Sequence, residues 1–370
     1  MKLLILSAST GGGHDMRAFA LQTWWEKKVG TEAVVTHPLE SGATLYRFGT
    51  ELYNIIQKKA PWLHTFYFSF LEHAKLHRST RILLGKKKFL QSLRDHKPDI
   101  ILSVHAHLNH AYFKLAKTWN PAVKFVVYCG EFADGRGFSK HWVNPYTDLF
   151  TGPFSSTCEA AIKYGMPRNK VMEAGFILRE PFYQKKDFSR TAKYLKSLGI
   201  NPEEKFILLG TWANGTNNHL QVFKELTRSI KLHEYRQVVA LCGKNEATLK
   251  NLISQAGKSK LKLIALPKVD AECMVALLSH TACLLARPGA GLSAEAVAMN
   301  TPIVFNLWGG VMPQESNNLN YWQLKTGRYL SIKAPKDLPA LLSAEIPSLG
   351  VTLPKCPPII DILLGLTKDE

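Results

Sequence analysis

Ten short apolar runs, each about the length of one strand, recur along this chain with longer amphipathic stretches between them: LLIL, AVVTH, DIILSV, KFVVY and LFTG, then FILLG, VVALC, LKLIAL, CLLA and PIVFN. Runs that are apolar at consecutive positions are buried on both faces, and parallel neighbours need crossovers long enough to hold a helix. The pattern predicts an α/β chain of doubly wound parallel sheets. The rhythm breaks in residues 175–205, GFILREPFYQKKDFSRTAKYLKSLGINPEEK, where no strand is paired and Pro181 and Pro202 punctuate a basic helical piece. A boundary near 176–186 divides the 370 residues into two Rossmann-like domains, 1–178 and 179–370. The ligand is expected in a cleft between them, with the final helix able to pack back on the first.

Two strand-to-helix turns carry glycine. In the first, SASTGGGH, residues Gly11, Gly12 and Gly13 let backbone approach a ligand, and His14 stands at the start of the following helix. The turn does not match GxGxxG, and AVVTHPLE offers only His37 and Glu40 where a dinucleotide site needs an acidic residue, which weighs against a nicotinamide cofactor. His14 has two readings: a group titrating near neutrality that faces the cleft, or a histidine that hydrogen-bonds a neighbouring loop. In the second turn, ARPGAGLSAEAV, the N–H groups of Ala290, Gly291, Leu292 and Ser293 follow Gly289 and Arg287 at a helix start, where the dipole favours a diphosphate. Glu295 is expected in the first turn of that helix, able to accept from ribose hydroxyls or to serve the dipole alone. Gln314, Glu315 and Asn318 in GGVMPQESNNLNYW are expected in a loop before a helix, with polar groups suited to sugar hydroxyls. Two such turns argue for two ligands.

A formal net charge of +18 with 46% hydrophobic and 21% charged residues describes a folded protein that recruits something anionic. Between AVVTH and DIILSV lies a helical insertion rich in Trp, Phe and Tyr, flanked by Lys58, Lys59, Lys75, Arg78, Arg81, Lys86, Lys87 and Lys88. This mixture suits an anionic bilayer surface, and it equally suits an aromatic core helix with a solvated basic face. No run is long enough to span a bilayer and no signal-peptide pattern is present, so the expected location is cytoplasmic, peripheral on the inner face of the cell membrane. Six cysteines without CxxC spacing read as reduced thiols.

SASTGGGH, KKAPWLHTFYF, DIILSVHAH, GKNEATLKNLI, KVDAECMVALLSHTACLLARPGAGLSAEAVAMNTPIVFN and PQESNN together resemble the monogalactosyldiacylglycerol synthase and processive diacylglycerol glucosyltransferase family. That family is related to the enzyme that adds N-acetylglucosamine to lipid I. The resemblance implies a GT-B fold of the family 28-like class, with a lipid acceptor on the N-terminal domain and a UDP-sugar on the C-terminal one. It also implies inverting hexosyl transfer without a bound metal or other cofactor, to diacylglycerol or a glycosyldiacylglycerol. By the same resemblance His14 is the base or acceptor-positioning residue, and Gly243 lies near the nucleotide. Val269 and Met274 face the uracil, Glu295 the ribose, and Gln314 and Glu315 the sugar. The chain departs from the family after the histidine, where the family tends to have a basic residue and this chain has Asp15, with Arg17 two positions later, and at Tyr128-Cys129-Gly130-Glu131, which replaces a Thr-Asp pair. Glu131 and His141 are therefore further candidates for the base.

The chemistry stands apart from the family. Displacing UDP needs a base for the acceptor hydroxyl and positive potential for the leaving diphosphate, which His14 and the helix start near Gly291 can supply, with Arg287. The segment HAHLNH has His-x-His spacing that can chelate a metal, but its place after a strand suits a loop that is structural or faces substrate through His105. A UDP-N-acetylglucosamine 2-epimerase shares the architecture without needing a lipid, and the aromatic and basic insertion argues against it. Nucleic-acid binding has only the charge in its favour, with no recognition motif. A non-catalytic binding protein remains open because of the changes after Val127.

Overall fold

The computed structural model describes residues 1–9, 13–42, 78–80, 83, 85–135, 137–210, 218–228, 234–256 and 259–366, without the side chains of 41 and 42. The aromatic part of the insertion, with Lys58, Lys59, Lys75 and Arg81, lies outside them, as do Gly11 and Gly12. The described chain divides into two compact units. One comprises Met1–Arg179, Met312–Tyr321 and Pro354–Glu370, and the other Glu180–Val311 and Trp322–Leu353.

Each unit is built on a six-stranded parallel sheet. In the first, β1 (Leu3–Leu6), β2 (Ala33–Thr36), β3 (Ile100–Ser103), β4 (Lys124–Tyr128), β5 (Leu149–Gly152) and β6 (Val171–Glu173) take the order β2-β1-β3-β4-β5-β6. The second holds β7 (Phe206–Leu209), β8 (Gln237–Leu241), β9 (Lys262–Leu266), β10 (Cys283–Ala286), β11 (Ile303–Asn306) and β12 (Leu330–Ile332), ordered β12-β11-β10-β7-β8-β9. All ten apolar runs are strands. The central strands β1, β3, β7 and β10 are buried at every residue, because helices cover both faces.

The strand order reverses once in each sheet, between β1 and β3 and between β7 and β10. At such a reversal the two flanking crossovers diverge to opposite faces and leave a crevice at the carboxyl ends of the strands. Register keeps those ends level: Leu6 pairs with Ser103, and Leu209 with Leu285. Both glycine-bearing turns start there, one after β1 and one after β10.

In the first unit the core runs from Leu4 and Leu6 through Tyr112, Phe125 and Phe150 to Trp142. A separate aromatic group in this unit is closed by Tyr321 of the helix Pro313–Thr326, whose ring stacks on Phe154 at 4.2 Å and meets Phe132 at 5.3 Å. The helix Pro358–Gly365 packs on the helix Gly13–Val29, with Ile359, Ile360 and Leu363 fully buried and Asp361 paired to Lys28 at 2.5 Å. Among the described residues no helix is long and apolar enough to cross a membrane.

Candidate functional site

At the β1/β3 crevice the helix Gly13–Val29 opens with Gly13 and His14. Its neighbour Asp15 ties the turn together. The carboxylate accepts from the hydroxyls of Ser7 at 2.7 Å and Ser9 at 2.8 Å, and pairs with His37 at 2.9 Å. Burial raises the Asp15 pKa, but the hydrogen bonds from His37, Ser7 and Ser9 outweigh it and hold the group down at about 2. His14 is thereby aimed across the crevice. Its Nδ1 lies 2.7 Å from the Val104 carbonyl just beyond β3, so Nδ1 carries the proton and donates, and the lone pair is on Nε2. Burial, and then the Arg17 charge, push His14 down to about 3. The ring is neutral at physiological pH.

Histidines continue from there. The His105 ring meets His14 edge-on at 4.6 Å, and its Nδ1 accepts from the His107 N–H at 3.3 Å, opening the short helix Ala106–Leu108. His107 stands 5.3 Å from both His105 and His141, and His110 lies 6.2 Å from His141. His141 is buried, 3.2 Å from Nη2 of Arg78 and two rings removed from His14. Burial depresses His107 and His110 too, so both stay uncharged. Among the described residues no three His, Cys, Asp or Glu side chains are placed to hold a metal.

Glu131 follows β4. Burial pushes its carboxyl up to about 7, a rise that the Arg17 charge and a 3.2 Å hydrogen bond from Asn317 Nδ2 only partly offset. Asn317 belongs to the helix Pro313–Thr326, against which Asp134 and Gly137 pack. Asn320 donates to the Asp134 carbonyl at 3.2 Å, and a Cβ at Gly137 would stand 2.1 Å from the Pro313 backbone.

In the second unit, Gly243 follows β8 with φ +57, a left-handed turn that suits glycine. Val269 precedes the helix Ala271–His280, which Asp270 caps by accepting from the Cys273 N–H at 2.8 Å, and Met274 is buried in its first turn. The helix Ala290–Met299 starts beyond β10 with Gly289 as its cap. Gly210, at the end of β7, leaves room for Leu292, whose Cδ2 would stand 2.7 Å from a Cβ there. All of these lie at the carboxyl edge of the second sheet.

Four expectations change in detail. The Ser293 N–H already donates to the Gly289 carbonyl at 3.0 Å, so Ala290, Gly291 and Leu292 carry the free helix-start amides. Glu295 is buried in the second turn rather than the first. Arg287 donates to the carbonyls of Trp308 at 3.1 Å and Gly310 at 2.6 Å, so it holds that loop's backbone. Gln314, Glu315 and Asn318 are helical, not in a loop, and Glu315 caps its own helix by accepting from the Met312 N–H at 2.9 Å. They lie in the first compact unit. Sequence reasoning missed Asn317 and the staple at Asp15, since both rest on contacts between distant segments.

Residues 14–177 match the family model described as monogalactosyldiacylglycerol (MGDG) synthase. A processive diacylglycerol β-glucosyltransferase of Bacillus mycoides (strain KBAB4) is 26% identical over 340 residues, 88% of this chain and 80% of that one. Among solved structures, UDP-N-acetylglucosamine 2-epimerase from Rickettsia bellii superposes with TM-score 0.54 at 14% identity, covering 100% of this chain and 96% of that one. MurG from Acinetobacter baumannii gives 0.53 at 14% identity, over 92% and 88%. At that identity the likeness establishes the fold alone, the GT-B class.

Proposed function

We infer, for a chain whose residues 14–177 match the family model described as monogalactosyldiacylglycerol (MGDG) synthase, a glycosyltransferase that moves a hexose from a UDP-sugar to the hydroxyl of a diacylglycerol-type lipid. The observation that carries the reading is the fixed tautomer of His14: Nδ1 donates to Val104, which leaves a base at Nε2 in the β1/β3 crevice. In the transfer step Nε2 takes the acceptor proton and the acceptor oxygen bonds to C1 of the sugar. The bond from C1 to the diphosphate oxygen breaks with its electron pair going to UDP. Attack opposite the leaving group inverts C1. The amides of Ala290, Gly291 and Leu292, at the positive end of their helix, suit the departing diphosphate and need no cation.

The test uses UDP-glucose and UDP-galactose with vesicles of diacylglycerol and anionic phospholipid, followed by lipid extraction. A glycolipid with inverted anomeric configuration, formed in the presence of a chelator, is the expected product. His14→Ala lowers its formation by about 10² to 10⁴ while UDP affinity holds. UDP release without a lipid product, or an unimpaired His14→Ala, overturns the reading.

A further inference from the structure

Arg17 sits one helical turn after His14, and its side chain is 8% exposed. On one side Nη2 stands 3.3 Å from His14 Nδ1. That nitrogen already gives its proton to Val104, so the guanidinium meets it as a neighbouring positive charge, not as a donor. On the other side Arg17 lies over Gly130, where a Cβ would stand 1.9 Å from Nη1 and 2.2 Å from Cζ. Gly130 does not have a positive φ, so its backbone conformation does not call for glycine. What excludes a side chain there is the guanidinium itself. Among the described residues no carboxylate lies within ion-pair distance of Arg17, and its Nε is buried without a hydrogen-bond partner. A buried cation left so is costly unless its field is used.

We propose that Arg17, seated in the notch that Gly130 leaves open, is a positioning residue for the transfer step, a fixed positive charge acting on His14 and Glu131 at the acceptor site. This rests on the assignment of His14 as the base. Both effects have one sign: the cation disfavours a second proton on the imidazole and favours ionisation of the carboxyl. The other groups facing His14 are Asp15 on its own helix, His105 and His107 after β3, and the Trp142 ring. Glu131 faces Asn317 and neighbours Cys129.

The test is the pH dependence of glycolipid formation by full-length Arg17→Met, Arg17→Lys, Gly130→Ala and the Arg17→Met/Gly130→Ala pair, with His14→Ala as control. Gly130→Ala is informative because the atoms nearest its added methyl are all at the far end of the Arg17 side chain, so it is expected to displace the guanidinium and keep the fold. Arg17→Met is expected to lose about tenfold in kcat at pH 6 but under about threefold at pH 8.5, since its acid limb moves to higher pH. Gly130→Ala follows the same course, the double variant is no worse than either single, and Arg17→Lys restores the wild-type shape. UDP affinity stays constant throughout. A wild-type pH profile in Arg17→Met, additive losses in the double variant, or unfolding of both single variants would overturn the proposal in favour of a packing role. An active His14→Ala instead removes the underlying assignment, whatever the Arg17 series gives.

Discussion

Asp15 and Glu131 have the same chemistry and opposite environments. Three hydrogen-bonding side chains surround Asp15 and hold it at about 2, whereas Glu131 has one amide donor in a buried position and rises to about 7. The Asp15 pKa lies below its unfolded value of 3.8, so its stabilisation is present above that pH and is lost as pH falls through about 2. Glu131 titrates within the working range. If its carboxylate form supports transfer, kcat/KM rises between pH 6 and 8 with an apparent pKa of about 7. Glu131→Gln should flatten that rise and leave a slower, pH-independent plateau, as initial rates across the range will reveal; an unchanged limb would exclude Glu131 as its source. At this scale the sequence exposed what chemistry marks, GGGH and the Glu131 substitution. It concealed Asn317, whose role depends on a partner 186 positions away.

Among the elements, a continuous apolar run was enough to reveal a strand, and β6 and β12 escaped because they lack one. VME and LSI are three-residue edge strands in which Ile332 alone is buried, so no apolar run marks them. The helix Pro313–Thr326 was hidden for another reason. Gly309, Gly310 and Pro313 read as a loop, yet proline is at home in a first helical turn, and Glu315 supplies the cap. Its contacts with Asp134 and Gly137 make two glycines differ. Gly137→Ala drives a methyl into the Pro313 and Gln314 backbone, at 2.1 and 2.2 Å, and is expected to cost about 2 to 3 kcal/mol by urea unfolding. Gly130→Ala, opposed only by a side-chain end, should cost under about 1 kcal/mol. Equal losses would mean that the loop yields.

Over the whole molecule, charge is the property that sequence gives most directly, and the family similarity gives it a use. Lys86, Lys87 and Lys88 are exposed at the start of the helix Lys86–His96. Against an anionic bilayer each contributes about 1 kcal/mol, so replacing all three with Gln should weaken vesicle binding on the order of 100-fold at low salt. Sedimentation with neutral and anionic vesicles measures it; equal binding to both would assign the charge elsewhere. The division into units was less legible, since the first sheet recruits segments that follow the second. Met312–Tyr321 and Pro354–Glu370 belong with Met1–Arg179. During synthesis, then, the half that leaves the ribosome first is the last to have all its parts. Its aromatic cluster waits for Tyr321 and its helix Gly13–Val29 for the helix Pro358–Gly365, while chain running only to Leu353 already contains everything the second sheet needs. A ribosome that stalls late would release a finished second unit attached to a first unit with apolar surface still uncovered, the state in which a nascent chain most needs a chaperone.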